Sequence, residues 1–237
     1  RKQTSQRKLN IGKFIEVNTL NIIKYPVSKY ESIYRAKTLS HKSPYNIYLA
    51  LFSYEFSNYL ANAIAKENEG EVFKIGIIAP YRAQADLIEK LIESTKFPKY
   101  VEVSVGTIHG FQGDECDVIL VVLNTPPSIS ASKDMFLNKR NILNVAISRA
   151  RDYLFIIMPD DETENIENLR LVKQVERLMT YSKLFAEINS HKVENIMFNS
   201  SNYLEENTFS TSHQNVNVYG LPEKKYEIRS EDTAVEH

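Results

Sequence analysis

Cysteine is all but missing: Cys116 is the only one in 237 residues. That excludes a disulfide framework and a cysteine-based zinc site, and it fits a reducing cytoplasm. No apolar run is long enough to span a bilayer and no signal peptide is visible, so no membrane partner is expected. Glycine is scarce as well, at seven residues. None of them builds a G-x-x-x-x-G-K-[ST] phosphate loop: Gly12-Lys13 is followed by Phe14 and lacks the upstream glycine. Nor does any strand candidate end in an Asp-Glu pair that would hold magnesium, so no metal site is expected within this chain. The first strand candidate has no glycine-rich turn after it, which argues against an unrelated nucleotide-binding α/β enzyme. There is no internal repeat. The opening run, residues 1–8, leads us to expect a segment cut from a longer protein.

What is present is ordinary in bulk, with 43% hydrophobic residues and a net charge of −1. The charge is unevenly spread. Residues 1–45 carry ten Lys/Arg against two Asp/Glu, a balance of +8, which leaves −9 for the remainder. A basic amino-terminal part suits nucleic acid; a solvated linker explains the same charges equally well.

Apolar runs and punctuation predict strands at 14–17, 21–25, 73–79, 101–105, 117–123 and 153–158. Helices are expected over 44–66, capped by Ser43 or Asn46 and closed by Gly70, from Pro80 onward, and over 165–188. Residues 124–133, with Pro126-Pro127, form a polar excursion, and 216–219 with 226–229 suggest a small hairpin. The alternation implies an α/β fold with a parallel sheet and helices on both faces. On such sheets ligands gather outside the carboxyl ends of the strands. We divide the chain into a linker and strand segment at 1–40, a main domain at 41–188, and a carboxy-terminal extension at 189–237 whose role the sequence does not indicate.

Three stretches carry chemistry. The most informative runs from Asn144 to Arg151 and contains Ser148, Arg149 and Arg151. Leu143, Ala146, Ile147 and Ala150 recur at helical spacing and predict one buried stripe, with Arg149 off it. Arginines at the joint between a helix and a core strand suit a phosphate, because a guanidinium is always charged and can bind two oxygens. Cations that merely complement a helix C-terminus would look the same. The second stretch, residues 103–117, places Gly110 and Gly113 where the backbone can approach an anion. There Glu115 suits a ribose hydroxyl, and Thr107 and His109 can donate to a nucleic-acid phosphate. A tight turn between two core strands has the same composition. The third stretch, residues 77–84, is a helix start with free amides beside Arg82, or simply a well-capped helix with Gln84 in solvent.

In order and spacing these stretches resemble the last, fifth and fourth motifs of superfamily 1 helicases, in the branch that includes the RNA helicase of nonsense-mediated decay. Ser148 stands for the more usual threonine. Asn141 and Ile142 stand where that branch often has two arginines, with Lys139 and Arg140 just upstream. The resemblance covers about residues 75–158. It implies a RecA-like (P-loop NTPase-like) three-layer fold and a place as the second RecA-like domain of an ATP-driven motor on single-stranded DNA or RNA. ATP and Mg2+ would be held mainly by the first RecA-like domain of the full-length chain, where the phosphate loop and acidic pair belong. By the same resemblance, the Gly113 amide faces the terminal phosphate of ATP and Glu115 the ribose, Gln112 belongs to the ATP site, and Arg149 is brought to the terminal phosphate as a catalytic arginine. Thr107, His109, Tyr81, Gln84 and Arg82 lie toward nucleic acid, and Arg151 and Arg140 are structural or secondary. A helicase-like module that binds nucleic acid or protein without ATPase activity is the alternative.

Overall fold

The computed structural model describes residues 18–27, 33–37, 41–67, 70–111, 115–125, 141–160, 166–181, 185–206, 208–210, 216–220 and 226–230. In chain order the elements are β1 (Leu20–Tyr25), β2 (Ile33–Lys37), β3 (His41–Tyr45), α1 (Ile47–Glu67), β4 (Phe73–Ala79), α2 (Arg82–Glu93), β5 (Val101–Thr107), β6 (Cys116–Val122), α3 (Asn141–Arg149) and β7 (Ala150–Pro159). A short 3-10 turn (Ile166–Asn168), α4 (Arg170–Thr180), β8 (Phe185–Asn189), α5 (Ser190–Phe198), α6 (Tyr203–Glu206), β9 (Thr208–Ser210), β10 (Val216–Gly220) and β11 (Tyr226–Ser230) follow.

Six strands form one sheet in the order β5-β4-β6-β7-β1-β8, and every neighbouring pair is parallel. The central strands carry unbroken apolar runs, 75–79, 118–122 and 153–158, because both faces are covered there. Ile75 and Ile77 of β4, Val118 and Leu120 of β6, and Phe155 and Ile157 of β7 face a core shared with α1, α2 and α5. The alternate residues Ile78, Ile119, Val121, Leu154 and Ile156 face a second core closed by Ala146 of α3, Leu171, Val172 and Val175 of α4, and Ile108 and Phe111. This is the three-layer α/β arrangement of a RecA-like fold. Among the described residues no helix is long and apolar enough to cross a membrane.

Several local expectations change. Asn46 caps α1, its Oδ1 accepting from Leu49 N at 2.9 Å. Ser43 instead serves α2, its Oγ accepting from Ala83 N at 3.0 Å. That helix begins at Arg82 rather than Pro80, because Tyr81 is still extended at φ −110°, ψ 136°. The single helix expected over 165–188 is broken. α4 stops at Thr180, and Phe185–Asn189 pairs with the open edge of β1 as the sixth strand. Asn189 then caps α5 by accepting from His191 N at 2.8 Å. The stripe expected on α3 is also incomplete: Ala146 is fully buried but Ile147 is 51% exposed, and Ala150 already belongs to β7. The side chain of Leu143, the strand expected at 14–17 and residues 126–133 of the polar excursion lie outside the described residues. β10 and β11 pair antiparallel, as the hairpin required.

Candidate functional site at two edges of the sheet

A parallel sheet has one edge where all strands begin and one where all end. At the carboxyl edge, Ala79 and Thr107 are direct neighbours on β4 and β5. The residues that follow them therefore share one surface. Tyr81 is half-buried against the second core. Arg82 is exposed, with Nε 2.9 Å from Asp86 Oδ1 one helical turn on. Thr107 Oγ1 accepts from Gly110 N at 3.3 Å, and Thr107 O accepts from Phe111 N at 3.0 Å, which folds the chain into a tight turn with His109 exposed at its tip.

Gln84, expected toward nucleic acid, has no exposed surface. Its Oε1 accepts from Asn46 N at 2.6 Å and its Nε2 donates to Asn46 O at 3.3 Å, so both ends of the amide are taken up in tying α2 to the start of α1. An amide used this way cannot also face an external strand. Gln84→Ala removes the acceptor that the buried Asn46 N–H uses and should cost about 1–3 kcal/mol. Urea unfolding measures it, and a change below about 0.5 kcal/mol would remove the clamp assignment.

The other expected residues are not at this edge. Glu115 directly precedes β6 and Arg149 directly precedes β7, and the first residues of those strands, Cys116 and Ala150, are paired. Both side chains therefore start from the amino-terminal edge. The expectation that ligand residues gather at the carboxyl ends holds for only half of them. The reason is topological: β5 and β6 run parallel, so the connection from Thr107 to Cys116 has to return from the carboxyl edge to the amino edge. Phe111 crosses β4 on that connection. A Cβ on Gly76 would lie 2.8 Å from the Phe111 ring, and one on Gly106 2.9 Å from it, so both glycines make room for the crossing.

At the amino edge Arg149 is half-buried, and its Nε is buried with no hydrogen-bond partner among the described residues. Arg151 is engaged: Nη2 lies 3.3 Å from Asp117 Oδ1. Ser148 Oγ donates to Val145 O at 2.8 Å, within its own helix. Gln112, Gly113 and Arg140 lie outside the described residues. Asp117 escaped the sequence reading, although a carboxylate opening an otherwise apolar strand was a visible signal. Among the described residues no cluster of His, Cys, Asp and Glu could hold a metal ion.

A family model described as an AAA domain matches residues 2–161. Similar proteins include the DNA polymerase alpha-associated DNA helicase A of Saccharomyces cerevisiae, 37% identical over 83 residues, or 35% of this chain and 12% of that protein. The helicase required for RNAi-mediated heterochromatin assembly 1 of Schizosaccharomyces pombe is 34% identical over 114 residues, covering 48% of this chain and 11% of that protein. The probable helicase senataxin of Mus musculus is 39% identical over 83 residues, or 35% of this chain and 3% of that protein. The matched stretches thus span about a tenth or less of these relatives' length.

Proposed function

The chain belongs to the AAA domain family, and from that premise we propose that it is the second RecA-like motor domain of an ATP-dependent superfamily 1 helicase. One observation carries the reading. A single connection has Thr107 at the carboxyl edge and Glu115 at the amino edge, and Glu115 and Arg149 directly precede the paired residues Cys116 and Ala150 of β6 and β7. Two ligands at opposite edges of one sheet are what a domain needs if it is to link nucleotide to polymer.

On this reading the amino edge closes over ATP held by the first domain. Arg149 Nε, without a hydrogen-bond partner among the described residues, fits an anionic oxygen. Arg149 meets the terminal phosphate, Gln112 and the Gly113 amide lie beside the phosphates, and Glu115 accepts from the ribose. The described residues do not fit Mg2+, so the ion is assigned to the first domain and nothing in this domain's contribution runs through it. At the carboxyl edge Thr107, His109, Tyr81 and Arg82 grip single-stranded DNA or RNA, with Gln84 behind them as a brace. A reducing cytoplasm remains the proposed location.

The test uses the full-length protein, with ATP turnover measured with and without single-stranded DNA and RNA. Turnover should rise with one or both strands. The 237-residue chain alone should show none, because it carries no phosphate loop. It should still bind labelled single strands weakly, with affinity falling as salt rises, since phosphate contacts release counterions. Turnover by the isolated chain would misplace the domain. Strand binding by a full-length protein that never hydrolyses ATP would leave a binding module instead.

A further inference from the structure

The buried carboxylate at the head of β6 is the feature the reading above leaves unused. Asp117 is buried, and both of its oxygens are committed. Oδ2 accepts from Lys74 N on β4 at 2.8 Å, and Oδ1 faces Arg151 Nη2 on β7 at 3.3 Å. One side chain therefore ties three adjacent strands together at the amino edge. It does so at an irregularity. Cys116 pairs with Ala150 and Val118 with Tyr153, so two steps along β6 are matched by three along β7. The extra residue falls in the segment Arg151–Asp152, directly opposite Asp117. Bulges of this kind bend a strand and re-aim the residues next to it.

We propose that Asp117 is a positioning residue for Arg149, acting through Arg151 and the bulge. The proposal rests on the motor-domain reading. Arg149 ends α3, and only Ala150, paired to Cys116, separates it from Arg151. With Arg151 anchored to β6 and Ala150 anchored in register, the last turn of α3 has no freedom to slide along the edge. Asp117 also decides which guanidinium is available. It neutralises Arg151 while Arg149 Nε has no partner among the described residues. A phosphate at this edge then meets one arginine at one place, rather than two that compete.

The variant is Asp117→Asn in the full-length protein, which keeps the volume and an acceptor for Lys74 N but loses the charge that holds Arg151. Two quantities are read: steady-state turnover with single strands, and the affinity for ADP with aluminium fluoride relative to ADP alone. Asp117→Asn should lower kcat about tenfold with KM for ATP nearly unchanged, and weaken the aluminium fluoride complex about tenfold while ADP binding holds. In an Arg149→Ala background it should change neither the analogue ratio nor KM, because its effect passes through Arg149. Arg151→Gln should reproduce it, and the pair together should be no worse than either alone. That second variant carries the same test if Asp117→Asn fails to fold. A lower melting temperature with an unchanged analogue ratio would make Asp117 merely structural and overturn the proposal, as would full additivity with Arg149→Ala. A wild-type protein with no strand-stimulated turnover and no preference for the analogue would instead overturn the motor-domain reading and this inference with it.

Discussion

In the full-length protein, Arg149→Ala should lower strand-stimulated ATP turnover by at least ~10²–10³-fold while the domain stays folded. Negative charge spreads over the transferring phosphoryl oxygens in the transition state, so a fixed guanidinium lowers the barrier more than it helps ground-state binding. Arginine fingers in other phosphoryl-transfer enzymes contribute roughly 10³–10⁵ in rate, and the expectation sits at the cautious end of that range. What fixes Arg149 is not the apolar stripe that its helix seemed to offer. Ile147 is half exposed, and among the described side chains of α3 Ala146 is the fully buried one. The helix is instead pinned where it runs straight into β7, at Ala150 paired to Cys116. Arg149 Nε has no hydrogen-bond partner among the described residues, so Arg149→Ala should leave the melting temperature nearly unchanged. Arg149→Lys should recover little, because a point charge does not reproduce the guanidinium fork. Arg151→Ala separates the two arginines: it should lose stability as well as rate, since it uncovers the buried Asp117. Near-normal turnover by Arg149→Ala would end its assignment as the catalytic arginine and leave the nucleotide edge resting on Glu115 and Gly113.

The sheet was legible because a strand buried on both faces is written as an unbroken apolar run. Residues 118–122 and 153–158 could be little else, and glycine, proline and polar residues mark their ends. The two-edge site was only half legible. Periodicity identifies strands but not which end of a neighbour a loop returns to, and the rule about carboxyl ends is silent on residues that lead into a strand. A cue was nevertheless present: Glu115 and Arg149 each stand upstream of a predicted strand, whereas Thr107 and Tyr81 stand downstream of one. In a parallel sheet that difference alone assigns opposite edges.

Other misses came from tertiary contacts that leave no local trace. Gln84 looks like a solvated residue in the first turn of a helix, and only the proximity of Asn46, 38 positions earlier, turns it into a clamp. The helix over 165–188 was overextended because Leu171, Val175 and Leu178 keep helical spacing up to the end of α4, yet Leu178 is 54% exposed and the core contact has already ceased. Beyond it the free edge of β1 recruits Phe185–Asn189, and local propensity gives way to the backbone bonds that edge offers.

The strongest stability effect should come from a residue that no sequence motif singles out. Glu194 on α5 has no exposed surface, yet it faces hydrogen-bond donors from three directions. Tyr48 OH on α1 donates to Glu194 Oε1 at 2.6 Å and lies 2.7 Å from Ser190 Oγ. Leu204 N on α6 donates to Oε2 at 3.2 Å. His191 Nδ1 lies 3.6 Å from Oε1 and 2.7 Å from Ser201 O. The carboxylate thus joins α1, α5 and α6, whose apolar residues Leu49, Val193 and Leu204 belong to one core. Glu194→Ala removes the acceptor facing the Leu204 amide and one partner of Tyr48, and opens a cavity. Each buried group left unpaired costs about 1–3 kcal/mol, so a total loss of about 2–4 kcal/mol is expected. A domain of this size loses roughly 2–4 °C in Tm per kcal/mol, which puts the fall at about 5–15 °C in a thermal melt. Glu194→Gln keeps the shape and one acceptor but turns an amide donor toward either Tyr48 or Leu204, so it should lose about half as much. Amide exchange at Leu204 should accelerate in both variants, and more in Glu194→Ala. A melt within about 2 °C of the parent for Glu194→Ala would mean that apolar packing through Val193 and Leu204 alone holds these helices to the sheet.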